Sequence, residues 1–126
     1  MIKYLVLLMA SLWMVACSAH DERYYTLHPK FVQKAIENCS KNQANDLSCE
    51  QLEMIASHLN ESAMKVQVNP QAFGKKILIL QQTIASQTSE LQKNPLQSEL
   101  RQSLSKNRSE LQEHLAIVKW LESPEG

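Results

Sequence analysis

The sequence predicts an all-α protein: a small disulfide-stapled helical hairpin followed by a long antiparallel, coiled-coil-like helical hairpin. Three observations predict it. Apolar residues recur at spacings of three and four along most of the chain, which is the helical period. Two glycines and four prolines in 126 residues are too few for the dense turns of a barrel or sandwich. Three of those prolines stand in His28-Pro29, Asn69-Pro70 and Asn94-Pro95. Proline suits the first helical position and asparagine caps well, so each pair reads as a helix start. The length allows one small domain. Thirteen basic against 13 acidic residues give no net charge, which argues against nucleic acid as a partner.

Residues 1–16 read as a leader: Lys3, then an apolar run from Tyr4 to Ala16. Polar Ser18, His20, Asp21, Glu22 and Arg23 stop the run well short of the roughly 20 apolar residues of a membrane span. Met14-Val15-Ala16-Cys17 resembles the bacterial lipobox, in which the cysteine is acylated and the leader is cut before it. Each buried CH₂ contributes about 0.8 kcal/mol, so two or three chains would hold the protein durably on a membrane. Ser18 after the lipidated residue, by resemblance to the lipoprotein sorting rule, favours the outer membrane over the inner. The other readings are an ordinary cleaved leader with Cys17 incidental, or an N-terminal membrane anchor. Residues 17–28 are expected to be a lipidated tether, most clearly from Ser18 to about Arg23.

With Cys17 lipidated, Cys39 and Cys49 remain, and export permits a bridge between them. On the chain-entropy model such a loop contributes about 2.5–3 kcal/mol. Zinc would need more ligands, and His20, His28, His58 and His114 are not at zinc spacing from these cysteines. A Cys-x-x-Cys redox motif is missing. No metal or cofactor is expected.

The stapled hairpin is expected over 29–68. After Pro29, Phe31, Val32, Ala35, Ile36 and Cys39 share one helix face. Ser40 to Asp46 is a polar turn. Ser48 can cap the next helix with Gln51 reaching back, and Leu47 can pack on Leu52 as a staple. That places Cys49 at the first helical position, and the helix continues through Leu52, Ile55, Leu59, Ala63 and Val66.

The long hairpin is expected over 69–122, with a frayed tail at 123–126. Its first helix runs from Pro70 to about Lys93 with Phe73, Ile77, Leu80, Ile84 and Leu91 on one stripe. Gly74 weakens it by about 1 kcal/mol relative to Ala. Lys76 to Leu80 could pass for a strand in isolation, but the stripe continues beyond it. The second helix is expected from Pro95 to about Leu121, with Asn107 and His114 interrupting its apolar seam. Helices of roughly 35–40 Å suggest a hairpin. The competing picture is one long helix kinked at Pro95 that pairs with a second copy through residues 76–121.

Catalytic motifs are missing: no glycine-rich phosphate loop, nucleophile elbow or His-Glu-x-x-His. His58 reads as a surface or half-buried residue. His114 reads as a polar residue at the seam's edge, although a titrating group among leucines could make packing pH-sensitive. Glu50 with Glu53, and Glu110 with Glu113, read as solvated pairs. Lys75-Lys76, Arg101, Lys106 and Arg108 are interleaved with acids, too sparse for a nucleic-acid or headgroup stripe.

From Cys17 to about Ile55 the order lipobox, Tyr24-Tyr25, His28-Pro29, Cys39, polar stretch, Cys49 resembles the EexN-type family of entry-exclusion lipoproteins. The family usually places Asn-Ala after its second cysteine, where this chain has Glu50-Gln51, and its members tend to end before the counterpart of Asn69. The resemblance implies an envelope lipoprotein that faces the periplasm and contacts a conjugative type IV secretion apparatus, without chemistry of its own. A structural, oligomerising envelope lipoprotein is the alternative. Tyr24 and Tyr25 are candidate partner contacts, since tyrosines suit binding surfaces; packing of the tether on the helices is the other role open to them. Trp120 is expected to seal the open end of the long hairpin.

Overall fold

Asp21, an expected tether residue, instead caps a helix. The computed structural model describes residues 21–39 and 47–124. The leader 1–16, Cys17 and the polar turn 40–46 lie outside the described residues. The Asp21 carboxylate accepts the Tyr24 N–H at 2.8 Å and starts α1, Glu22–Leu27. Six residues cannot hold a helix in water unaided. Packing holds this one. Tyr25 is only 5% exposed, and the Arg23 guanidinium donates to Ser109 Oγ and Gln112 Oε1, 86 and 89 residues away in sequence. The tether expectation for 17–28 is therefore corrected from Glu22 onward.

Helix α2, Pro29–Cys39, buries Pro29, Val32 and Ala35. Helix α3, Cys49–Val68, starts on the expected capping box: Ser48 Oγ accepts the Gln51 N–H at 3.2 Å, and Gln51 Oε1 accepts the Ser48 N–H at 2.9 Å. Cys39 at the end of α2 and Cys49 at the start of α3 are bridged, with Cα atoms 5.5 Å apart.

Asn69 serves two helices. Its N–H donates to the Lys65 carbonyl at 3.0 Å and closes α3. Its Oδ1 accepts the Ala72 N–H at 3.0 Å and opens α4, Pro70–Lys93. The next Asn-Pro pair behaves differently. Asn94 closes α4 through its N–H to Glu90 O, at 3.1 Å. Its side chain accepts the Leu96 N–H at 3.4 Å, which shapes a turn. Helix α5, Ser98–Glu122, therefore begins three residues later than expected from Pro95, with Gln97 as a cap that makes no side-chain bond.

The chain reverses at this turn, and α5 returns antiparallel along α4. Gln87 pairs with Ser103 and Asn107, Lys76 with Glu110, and Phe73 stacks near His114. The far part of this pair buries Leu80 and Leu104, but polar groups share its seam. Asn107 Nδ2 donates to Gln87 Oε1 at 3.0 Å, and Gln87 Nε2 to Ser103 Oγ at 2.9 Å.

One core draws on all five described helices: Tyr25, Val32, Ala35, Leu52, Ile55, Leu59, Phe73 and Ile117. Val118, Trp120 and Leu121 pack against it, so Trp120 sits where the hairpin's open end meets the stapled helices. Leu52 is fully buried. Among the described residues there is no strand.

Two stability outcomes are expected from this packing. Replacing both Cys39 and Cys49 with Ala should lower urea-measured stability by about 2.5–3 kcal/mol, and a loss well under 1 kcal/mol would show that the bridge constrains little. Leu52→Ala should cost about 2–5 kcal/mol, read from the same denaturation midpoints.

Candidate functional site

An apolar cleft of about 610 Å³ opens between α3, α4 and α5, with Thr26 of α1 at its edge. Helical spacing builds each wall. Helix α3 presents His58, Glu61, Met64, Lys65 and Val68; the first turns of α4 present Ala72, Phe73 and Lys76. Helix α5 supplies Glu110, Glu113, His114 and Ile117, which recur at three, four and seven along one face. Buried Leu59, Phe73 and Ile117 line the cleft. Met64 and Val68 stand exposed at its rim, 62% and 79% accessible.

The polar groups are paired across and along the walls. Lys76 Nζ lies 3.1 Å from Glu110 Oε1, tying α4 to α5. His114 Nδ1 donates to the Glu110 carbonyl at 2.8 Å, and its ring lies 4.8 Å from that of Phe73. Lys65 Nζ lies 2.9 Å from Glu61 Oε1, one turn apart on α3. This hydrogen bond, with the ammonium charge behind it, holds the Glu61 carboxyl below its ordinary value of 4.5. The result is a greasy floor beneath a rim of alternating sign. Such a cleft can bind. Among the described residues, no group of three or more His, Cys, Asp or Glu could hold a metal ion.

A second surface crosses the α1–α2 joint. Tyr24 stacks on His28 with centroids 4.3 Å apart, and the Phe31 ring lies 6.3 Å from that of Tyr24 and nearly parallel to it. His28 Nδ1 donates to the Tyr24 carbonyl at 2.7 Å. Lys30 Nζ sits 4.9 Å over the Phe31 ring. Tyr25 turns the other way, into the core.

The sequence-predicted residues are thus distributed unevenly. Cys39 and Cys49 are brought together, while Cys17 lies outside the described residues. Tyr25 packs instead of presenting a contact, and Tyr24 is half-buried in the aromatic row. His58 is exposed on the cleft rim, and His114 is half-buried on the cleft's inner side. Sequence reasoning missed the cleft. Its signal was the run Glu110, Glu113, His114, Ile117, in which two acids and a histidine share a face with a core isoleucine.

Compared with known proteins, the chain matches no family model, no curated protein and no solved structure. No described helix is long and apolar enough to cross a membrane.

The lowered Glu61 pKa sets the sign of a pH effect. A carboxyl held below its ordinary value adds stability above that value and loses it as pH falls through the lowered one. The stability difference between the native chain and Glu61→Gln should therefore be present at neutral pH, small because the pair is fully exposed, and absent in strong acid. Thermal melts across pH check this, and a gap that widens in acid would refute it.

Proposed function

We propose that this chain is a lipid-anchored, non-catalytic envelope protein that acts by protein–protein contact, in entry exclusion or another task tied to a conjugative type IV secretion apparatus. The supporting observation is the allocation of its three cysteines: Cys39 and Cys49 are joined, leaving Cys17 as the odd one at the end of the apolar leader. An odd cysteine at a lipobox position is the group that lipidation uses. Acyl chains there would hold the molecule on the periplasmic side of the envelope, the outer membrane by the Ser18 rule.

The motif shared with entry-exclusion lipoproteins also acquires a physical account. In Tyr24-Tyr25 and His28-Pro29, the second member of each pair is buried and the first lies toward the surface. Tyr25 and Pro29 lock α1 and α2 to the core, and Tyr24 and His28 build the aromatic row with Phe31. Such a row offers large contact area at low entropic cost. It crosses the α1–α2 joint, and its first member, Tyr24, stands seven residues after Cys17.

Two measurements separate the parts of this proposal. Cys17→Ser should abolish labelling by a fatty-acid probe, and undiminished labelling refutes the anchor. Recipient cells carrying the protein should accept a plasmid from a like donor less often than cells without it, and Phe31→Ala should restore transfer. An unchanged transfer frequency refutes exclusion and leaves a structural envelope role.

A further inference from the structure

Helix α5 carries acids and arginines on neighbouring faces, and Glu110 and Glu113 also border a shallow depression with Ser105, Lys106 and Ser109. Glu110 and Glu113 face the cleft, whereas Arg101, Ser105, Arg108, Ser109 and Gln112, spaced at four, seven, eight and eleven, line a basin on another side of the helix. In sequence Arg101 and Arg108 look sparse and interleaved with acids. In three dimensions they are joined by Arg23 of α1, and the basin measures about 680 Å³. Among the described residues no carboxylate lines it. Glu113 Oε1 lies 3.9 Å from one Arg23 nitrogen, and Asp21 is engaged with the Tyr24 N–H.

The hydrogen-bond directions make this a donor-rich surface. Arg23 donates to Ser109 Oγ and to Gln112 Oε1, which uses the acceptor side of both groups. The Ser109 hydroxyl hydrogen and the Gln112 amide hydrogens are thereby aimed away from Arg23. Arg108 reaches Thr88 Oγ1 at 3.5 Å with one nitrogen, which keeps its guanidinium beside α4 while the residue lines the basin. Planar guanidinium forks match the paired oxygens of a phosphate, and hydroxyl and amide donors complete such a site.

We propose that this basin binds a phosphate group. Arg23, Arg101 and Arg108 neutralise it, and Ser105, Ser109 and Gln112 orient it. Binding joins α1 to α5 through the ligand as well as through Arg23, so it tightens the seat of the first helix. The phosphate can belong to a free phosphorylated solute or to a lipid headgroup. Only the headgroup source rests on the proposed anchor at Cys17, which stands six residues before Arg23.

The test tracks the arginine side-chain Nε–H resonances of the full chain by NMR, first in neutral detergent with inorganic phosphate. Saturable shifts confined to Arg23, Arg101 and Arg108 are expected. Chloride at equal ionic strength should not reproduce them; if it does, the basin only screens charge and the proposal fails. Arg101→Gln and Arg108→Gln should each weaken binding roughly tenfold or more; melting should be unchanged for Arg101→Gln and at most slightly lowered for Arg108→Gln, which also loses its contact with Thr88. Lys106→Gln removes the same charge from a position outside the basin and should leave affinity intact. Equal losses in all three variants overturn the site. Phosphatidylcholine bilayers with and without phosphatidylglycerol then identify the source. Shifts that need phosphatidylglycerol assign a headgroup, and shifts from inorganic phosphate alone assign a solute. Shifts from neither overturn the proposal.

Discussion

Burial of Leu52 among residues from every described helix is the constraint on which the rest depends. The ion pairs of the fold are partly or fully exposed: Lys65–Glu61, Lys76–Glu110 and the longer Arg23–Glu113 contact. Pairs of that kind contribute from nothing to about 1 kcal/mol. A core that joins Tyr25, Val32, Leu52, Leu59, Phe73 and Ile117 removes several large side chains from water, at roughly 1.5–3 kcal/mol each. The helices are therefore arranged by that cluster, and the surface pairs only register them. The disulfide acts on the same cluster indirectly. It joins the end of α2 to the start of α3, so that Val32 and Ala35 meet Leu52 and Ile55 without the full entropic cost of closing the loop.

Local rules were readable where a cap chooses its partner within four residues and a long periodic helix follows. Ser48 with Gln51 and Asn69 with Pro70 needed no tertiary information, and both start helices as expected. Asn94-Pro95 carries the same letters as Asn69-Pro70 but a different outcome. The distinction lies in the residues just after each proline: Gln71-Ala72-Phe73 places a core residue on the first turn, whereas Leu96 is left 86% exposed. With nothing to bury, the first turn after Pro95 gains no packing to offset its ordering. Helix α1 failed for the opposite reason. Its six residues are too few for a periodic signal, and only Tyr25 in the core and Arg23 on α5 reveal why they fold.

The candidate sites were the least legible part because each is assembled across helices. The cleft needs α3, α4 and α5 to converge on Phe73, and the arginine basin needs a residue from the first described helix beside the last. A sequence shows charges in chain order, where Arg101, Lys106, Arg108 and Glu110 look mixed. Folding sorts them by angle around the helix axis. The acids then lie beside Lys76 and His114 on one side and Ser105 and Ser109 on the other, and the arginines gather beyond those serines with Gln112.

That sorting has a mechanical consequence for the far part of the long hairpin. Beyond the shared core, α4 and α5 hold each other with Leu80, Leu104 and a ladder of amide and hydroxyl bonds. Such bonds contribute about 1 kcal/mol apiece against water, less than a buried leucine. The pairing at that end is consequently specified more than it is strengthened. Asn107 bonds Gln87 in one register only, and a slip of one turn would leave both amides without their partner. Leu78, Ile79 and Leu96 stand exposed along this arm, so its apolar burial is confined to few positions. The core thus fixes where the arm begins, and the polar ladder fixes its alignment.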